Sequence, residues 1–243
     1  MALHGRTVLV IGGSAGIGLA VAQAAAAQGA RVHIAARDRG RLARAAEQIG
    51  AAGHHAADVT DDAARAALFD SVGPIDHLAV TSHLSSTRLG VHTAMDRMPL
   101  DGARKFMEHK FWSQYAAAQA ALDHLSADGS IVLTSGVASR RPLAEHTVIA
   151  ATNAAVEAMA RQLCAEIAPR RINVVAPGLT DTRTYDHLSP ESREAFFAKV
   201  RGLVPVARVA TPADIARAYL FAMESDYLSG AVIDMDGGLL CAG

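Results

Sequence analysis

Seven short runs, most of them rich in valine and isoleucine, fall at 7–11, 31–35, 54–57, 76–80, 130–134, 171–175 and 231–235, separated by longer alanine-rich segments. This alternation limits the fold more than any other feature of the chain. The runs are nearly continuous in apolar residues, as strands covered on both faces require, and the segments between them are long enough to be crossover helices joining parallel strands. A doubly wound (Rossmann) α/β sheet of seven parallel strands, in three layers, covers both faces of such strands. With 51% apolar and 19% charged residues, the 243-residue chain can bury a full core. No proline/serine-rich linker, low-complexity tract or internal repeat marks a boundary, so residues 1–243 are expected to form one domain.

Charge and composition exclude several classes of partner. A formal net charge of −1 gives no electrostatic reason to bind nucleic acid. No apolar run approaches the roughly 18 to 20 residues needed to cross a bilayer, and residues 1–6 lead straight into the first strand without a signal pattern. A cytoplasmic protein acting on a small molecule is the expectation. The two cysteines, Cys164 and Cys241, have neither a disulfide framework nor zinc-ligand spacing, and no metal site is expected.

The first strand ends in Gly12-Gly13-Ser14-Ala15-Gly16-Ile17-Gly18, and an alanine-rich helix runs on to about Gln28. In that context Gly12 permits the tight turn, Gly16 lets the backbone approach a pyrophosphate, and Gly18 lets helix and strand pack closely. The free amides of the helix start then face the anion. A dinucleotide site is expected. At the end of the second strand, Arg37 in Ala36-Arg37-Asp38-Arg39 offers a planar donor fork to a 2′-phosphate, which favours NADP(H), while Asp38 leaves NAD open. Arg37 and Arg39 also read as solvated charges opening the next helix. Asp58-Val59, after the third strand, is placed to hold adenine, with an N-cap for the helix near Asp61 as the other reading of Asp58.

Together these residues resemble the short-chain dehydrogenase/reductase family over essentially the whole chain. The GxxxGIG turn and Asp58-Val59 match it, Pro177-Gly178 to Thr182 looks like its PGxxxT loop, and Asp236-Gly237-Gly238 resembles its C-terminal DGG. The resemblance implies that the Pro177-Gly178 turn passes under the nicotinamide and that Thr182 contacts the cofactor. It also implies a homo-oligomer, tetramer or dimer, in which the alanine-rich faces at 116–122 and 150–159 pack against copies; core packing within one subunit explains those faces equally well.

The resemblance fails at the catalytic group. The family uses an Asn, a Ser, and a Tyr and Lys in a YxxxK pattern, the lysine cation lowering the tyrosine pKa. Here Ile149 falls at the tyrosine position, Asn153 at the lysine position, Gly136 at the serine position and Lys110 at the asparagine position. Ser135, one residue before Gly136, is expected to face away by strand alternation. The family's NNAG is replaced by Val80-Thr81-Ser82-His83, so His83 stands in place of a glycine.

Asparagine and lysine thus exchange places. Lys110, one of three lysines in the chain, is expected to keep a cation near the ribose and nicotinamide, its other reading being a solvated helix residue. His146 beside Glu145, and Tyr185, are the candidates for the missing phenol's proton work, each also readable as an exposed polar residue. The polar loop at 82–99 and the irregular region at 178–205, with a helical pattern at 190–200, are expected to shape the substrate pocket, the latter as a lid. The leading expectation is an NADP(H)-dependent oxidoreductase acting on a carbonyl or alcohol with a non-standard proton relay. Its rivals are a catalytically silent nucleotide-binding protein, and a non-redox lyase or isomerase in which His83, His146 or Lys110 moves protons.

Overall fold

Each of the seven runs becomes a strand. In the computed structural model, which describes residues 3–82, 86 and 89–242, these are β1 (Thr7–Ile11), β2 (Arg31–Ala36), β3 (Gly53–Ala56), β4 (Ile75–Val80), β5 (Leu125–Thr134), β6 (Arg171–Pro177) and β7 (Val232–Met235). They form one sheet in the order β3-β2-β1-β4-β5-β6-β7, and every pairing is parallel. The start of β5 differs from the sequence expectation. Leu125 pairs with Ile75, and an irregularity then brings His77 opposite Ser130, so the strand begins before the run that marked it.

Between the strands lie α1 (Gly16–Ala27), α2 (Arg39–Ile49), α3 (Asp62–Val72), α4 (Leu100–Met107), α5 (Ser113–Ala121), α6 (Thr147–Glu166), α7 (Pro190–Leu203) and α8 (Pro212–Glu224). They cover both faces of the sheet. Along β1, Val8 and Val10 enter one core with Val21 and Ala25 of α1 and Ile215 and Tyr219 of α8. Leu9 and Ile11 enter the other, with Leu68 of α3, Ala117 and Ala121 of α5, and Val156 of α6. Strand residues alternate between faces, so two cores demand apolar residues at most positions, which is why the runs are nearly continuous.

From β1 the chain winds one way to β2 and β3, then returns to lay β4 to β7 on the other side. The reversal opens a crevice beyond the carboxyl ends of β1 and β4, where ligands settle in sheets of this kind. Among the described residues no helix is long and apolar enough to cross a membrane.

Candidate active site and dinucleotide cleft

The crevice holds a cavity of about 660 Å³, walled by the turn after β1, the ends of β2 and β3, the start of α5 and the loop after β6. Its floor is made by close packing. A Cβ on Gly18 would stand 2.3 Å from the Gly12 carbonyl oxygen, so only glycine lets α1 begin where it does. Gly16 has φ +54, and a Cβ there would project to within 3.6 Å of Thr182, across the space that the turn leaves open. The N-cap of α1 is Ala15, which has no side chain to bond the first-turn amides, whereas α2, α3, α7 and α8 are capped by Asp38, Asp61, Ser189 and Thr211. Uncapped amides, a positive helix end and missing Cβ atoms are the arrangement that a diphosphate fits.

Gly12, Ser14, Gly16, Ile17, Gly18, Arg37, Asp58, Val59 and Thr182 all line the cavity. Arg37 Nη1 lies 4.0 Å from Asp58 Oδ2, with both side chains about half exposed. Asp58 Oδ1 accepts from the Thr60 amide at 3.1 Å and hydroxyl at 2.8 Å. Burial pushes the Asp58 carboxyl up, but Thr60, Arg37 and His109 together bring it below the usual carboxylate range. The N-cap alternative for Asp58 does not hold, because Asp61 caps α3 and accepts from Ala64 N at 2.7 Å. Asp38 is likewise committed, accepting from Arg41 N at 2.9 Å.

Pro177 ends β6, and the Gly178 amide donates to Met235 O at 2.9 Å. A Cβ on Gly178 would stand 2.8 Å from the Asp236 Cα, so this turn and the Asp236-Gly237-Gly238 turn are built against each other. Asp236 holds its own turn by accepting from the amides of Gly238 at 2.9 Å and Leu240 at 2.7 Å.

The exchanged lysine and asparagine meet consecutive carbonyls at the end of β5. Lys110 sits in a π-helical turn (Glu108–Trp112) that joins α4 to α5, closed by the Ser113 amide donating to Glu108 O. It is 7% exposed, and its Nζ donates to Ser135 O at 3.0 Å. Burial pulls its pKa down to about 8. Asn153 Nδ2 donates to Gly136 O at 3.3 Å, while its Oδ1 is buried without a hydrogen-bond partner. A Cβ on Gly136 would stand 3.0 Å from that Nδ2, so the glycine makes room for the amide. Ser135 turns its hydroxyl to Glu157 Oε1 at 2.9 Å, and Ser139 donates to the same oxygen at 2.7 Å.

Other proton-carrying candidates stand further out. His146 precedes α6, and its Nδ1 lies 2.7 Å from Ala144 O. A carbonyl only accepts, so Nδ1 carries the proton in the neutral ring and Nε2 keeps its lone pair. The ring is edge-on to His92 at 4.7 Å between centroids. Burial first, then His146, lowers the His92 pKa against the opposing pull of Glu145. Tyr185 packs with Phe196 and Phe197 of α7, at 5.3 and 5.6 Å between centroids. Its pKa is pushed up to about 12 by burial and by Asp181. Its neighbours Arg183, Thr184, Asp186 and His187 line the cavity, but none of Lys110, Ser135, His146, Asn153 or Tyr185 does. His83 lies outside the described residues.

Three features escaped the sequence. His109 and Ser113 form part of the cavity wall. Gln114 fastens α5 to β5, its amide donating to Lys110 O at 2.8 Å and Thr134 O at 2.9 Å and its oxygen accepting from Thr134 N at 2.7 Å. Glu157, 5% exposed, gathers the two serines under Arg140. Only the i, i+4 spacing of His109 and Ser113 was available as a signal.

The family model described as enoyl-(acyl carrier protein) reductase matches residues 12–240. The chain belongs to the short-chain dehydrogenase/reductase family. The short-chain dehydrogenase/reductase ATR9 of Stachybotrys chlorohalonatus (strain IBT 40285) is 30% identical over 97% of each chain. Galactitol 2-dehydrogenase (L-tagatose-forming) of Cereibacter sphaeroides is 32% identical over 97% of this chain and 95% of its own. Among solved structures, a small-chain dehydrogenase in complex with NADPH superposes with a TM-score of 0.82 at 33% identity, covering 98% of this chain and all of that one (100%). That kinship places the chain in a family of oxidoreductases, and its seven-stranded sheet is that family's fold.

Proposed function

We propose that the protein is an NADP(H)-dependent short-chain oxidoreductase that interconverts a carbonyl and an alcohol, with a proton relay other than the family's usual one. The reading is carried by the continuous cavity that starts at the uncapped turn of α1 and ends beside Arg37. A bound nicotinamide dinucleotide supplies hydride exchange with the substrate carbon. The chain itself holds, orients and moves a proton.

The amides of Gly16, Ile17 and Gly18, with Gly12 and Ser14, receive the diphosphate. Asp58 and Val59 take the adenine edge, and Pro177, Gly178 and Thr182 flank the nicotinamide end. Arg37 takes the 2′-phosphate, a role supported by the commitment of Asp38 to Arg41 and by the NADPH of the solved relative. Residues 178–205 cover the substrate as a lid.

Ile149 has no titratable atom, so the proton must come from another group. His146 is the group we assign, because its Nδ1–H is held by Ala144 O and its Nε2 is left to take and return a proton. Lys110 supplies charge at the end of β5, and Asn153 fixes the adjoining carbonyl. Tyr185 takes the role only if its side chain swings away from Phe196 and Phe197, which share residues 178–205 with it. Losing the family's general acid/base costs about 10²- to 10⁴-fold in rate, which slows turnover without abolishing it. The chain is also proposed to assemble as a homo-oligomer, checked by light scattering.

A second reading, a nucleotide-binding protein without turnover, is favoured by one observation: among the described residues, none of the proton-carrying candidates lines the cavity. A panel of ketones and alcohols, followed at the nicotinamide absorbance band, separates the two. At least one NADPH-dependent substrate, with turnover cut about tenfold or more in His146→Ala, is the expected result. Tight NADPH binding with no absorbance change on any substrate would establish the silent protein instead. No binding of either dinucleotide at millimolar concentration would remove both.

A further inference from the structure

At the β3 edge of the sheet, two histidines stand apart from the dinucleotide cleft. His33 of β2 is in register with Gly53 of β3, and His55 lies two residues further along β3, so the three positions share one face. That face carries α3, whose Ser71 hydroxyl lies 3.3 Å from His55 Nδ1. His33 Nδ1 and His55 Nε2 come within 3.2 Å of each other. The rings are nearly parallel, 20° apart in plane, with their centroids at 5.5 Å. A Cβ on Gly53 would stand 2.6 Å from His33 Nδ1 and 3.1 Å from His55 Nε2. Glycine at this position therefore leaves both nitrogens approachable on a side that any other residue would cover.

Two nitrogens bound at about 2.0 to 2.1 Å to one tetrahedral ion are about 3.3 Å apart, so the separation found here is already that of a chelate. The protons can be placed to suit it. Ser71 accepts from His55 Nδ1–H, which leaves the Nε2 lone pair free, and His33 carries its proton on Nε2, which frees Nδ1. An oxygen behind a ligating histidine is what fixes the tautomer in metal sites. Burial first, then His55 and Arg31, lower the His33 pKa, and burial first, then His54, lower that of His55. Both rings are therefore mainly neutral at pH 7, the form that binds metal. Among the described residues no third His, Cys, Asp or Glu joins them, so water supplies the other positions. Such a site suits an ion that takes imidazole readily, such as Zn²⁺, over the oxygen-seeking Mg²⁺.

We propose that His33 and His55 form a two-histidine site for a divalent transition-metal ion, with Ser71 behind His55, and that the ion ties edge strand β3 to β2. The two ligands are 22 residues apart and carry no motif; only the parallel pairing of their strands joins them. The site does not rest on the dinucleotide reading, because His33, Gly53, His55 and Ser71 all lie outside that cavity. The strands it joins lead into Arg37 and Asp58 of the cavity wall, so a bound ion steadies that wall from behind.

Calorimetry with zinc chloride, and with magnesium chloride as the contrast, tests the proposal on protein without a histidine tag. The wild type is expected to bind a zinc ion that His33→Gln and His55→Gln lose and that Ser71→Ala holds about tenfold more weakly. Zinc is also expected to raise the melting temperature of the wild type and not of the two histidine variants. His54→Gln, on the opposite face of β3, is expected to bind as the wild type does. Circular dichroism shows whether the variants fold. If they do not, modification of wild-type histidines by diethyl pyrocarbonate, mapped by mass spectrometry, answers without them: zinc is expected to protect His33 and His55 and to leave the exposed His54 reactive. Zinc bound equally by the wild type, His33→Gln and His55→Gln would lie elsewhere and overturn the proposal. So would magnesium bound as tightly as zinc, no zinc binding at all, or modification of His33 and His55 unchanged by zinc. None of these results would touch the dinucleotide reading.

Discussion

Lys110 reaches Ser135 O from one helix and Asn153 reaches Gly136 O from another, so two neighbouring carbonyls are each held by the residue type that the family places at the other position. The exchange keeps a lysine near the end of β5, where it is buried. If its charge assists turnover, Lys110→Ala is expected to lower the NADPH-dependent rate about tenfold or more, measured at saturating dinucleotide. Stability carries a separate signature. The folded pKa of Lys110, about 8, lies below its ordinary 10.5 because burial disfavours the ammonium. Below pH 8 both folded and unfolded chains hold the proton, and the full cost of burying the charge is present. Between pH 8 and 10.5 the folded chain releases it first, and stability rises with pH. Urea unfolding of wild type and Lys110→Met at pH 7 and pH 10 is therefore expected to show the difference moving toward wild type at the higher pH. A difference independent of pH would mean that the ammonium is not what titrates. Arg37→Ala is expected to weaken NADPH about tenfold while leaving NADH nearly unchanged, as read by nucleotide fluorescence.

At the scale of elements, the π turn between α4 and α5 does the most to shape the site. One extra residue in a turn rotates everything after it by about 100°. His109 and Ser113 thereby reach the cavity wall while Lys110 points into the interior. Gln114 secures the result to β5. Gln114→Ala would leave the Thr134 amide, the Thr134 carbonyl and the Lys110 carbonyl without their side-chain partner, and is expected to cost about 2 to 3 kcal/mol in denaturant unfolding. This turn also marks where the sequence stops being readable. Strands β1, β2, β4 and β6 announced themselves because burial on two faces leaves few polar positions. The glycine turn and Arg37 announced themselves because backbone clearance and charge are local properties. His109, Ser113 and Gln114 did not, since helical periodicity assumes an unbroken turn and the insertion shifts the facing of each. Glu157 stayed hidden for a different reason: its partners Ser135 and Ser139 come from a distant segment, and only the fold joins them.

For the whole molecule, the cavity lies where the sheet changes winding direction, so its wall is drawn from segments that run from the first strand to the loop after the sixth. A ligand spread over so many segments stabilises the fold as a unit. NADPH at one hundred times its Kd is expected to add about 2.7 kcal/mol of stability. Melting temperature should rise accordingly, and by less with the same concentration of NADH. The family's fold was legible over the whole chain, but the substrate was not, because loops with no periodic pattern carry no readable preference.

Helix α7 has a tether at each end. Near its start, Arg193 pairs with Asp181. Beyond its end, Val204 and Val206 press on Gly237, where a Cβ would stand 2.5 Å from Val204, and Pro205 presses on Gly238. The last described residues are in turn fastened by Arg141 to the carbonyls of Leu239 and Ala242. A side chain added at Gly237 is therefore felt along α7: it would push against Val204 and Val206 and, through them, displace the helix that precedes them.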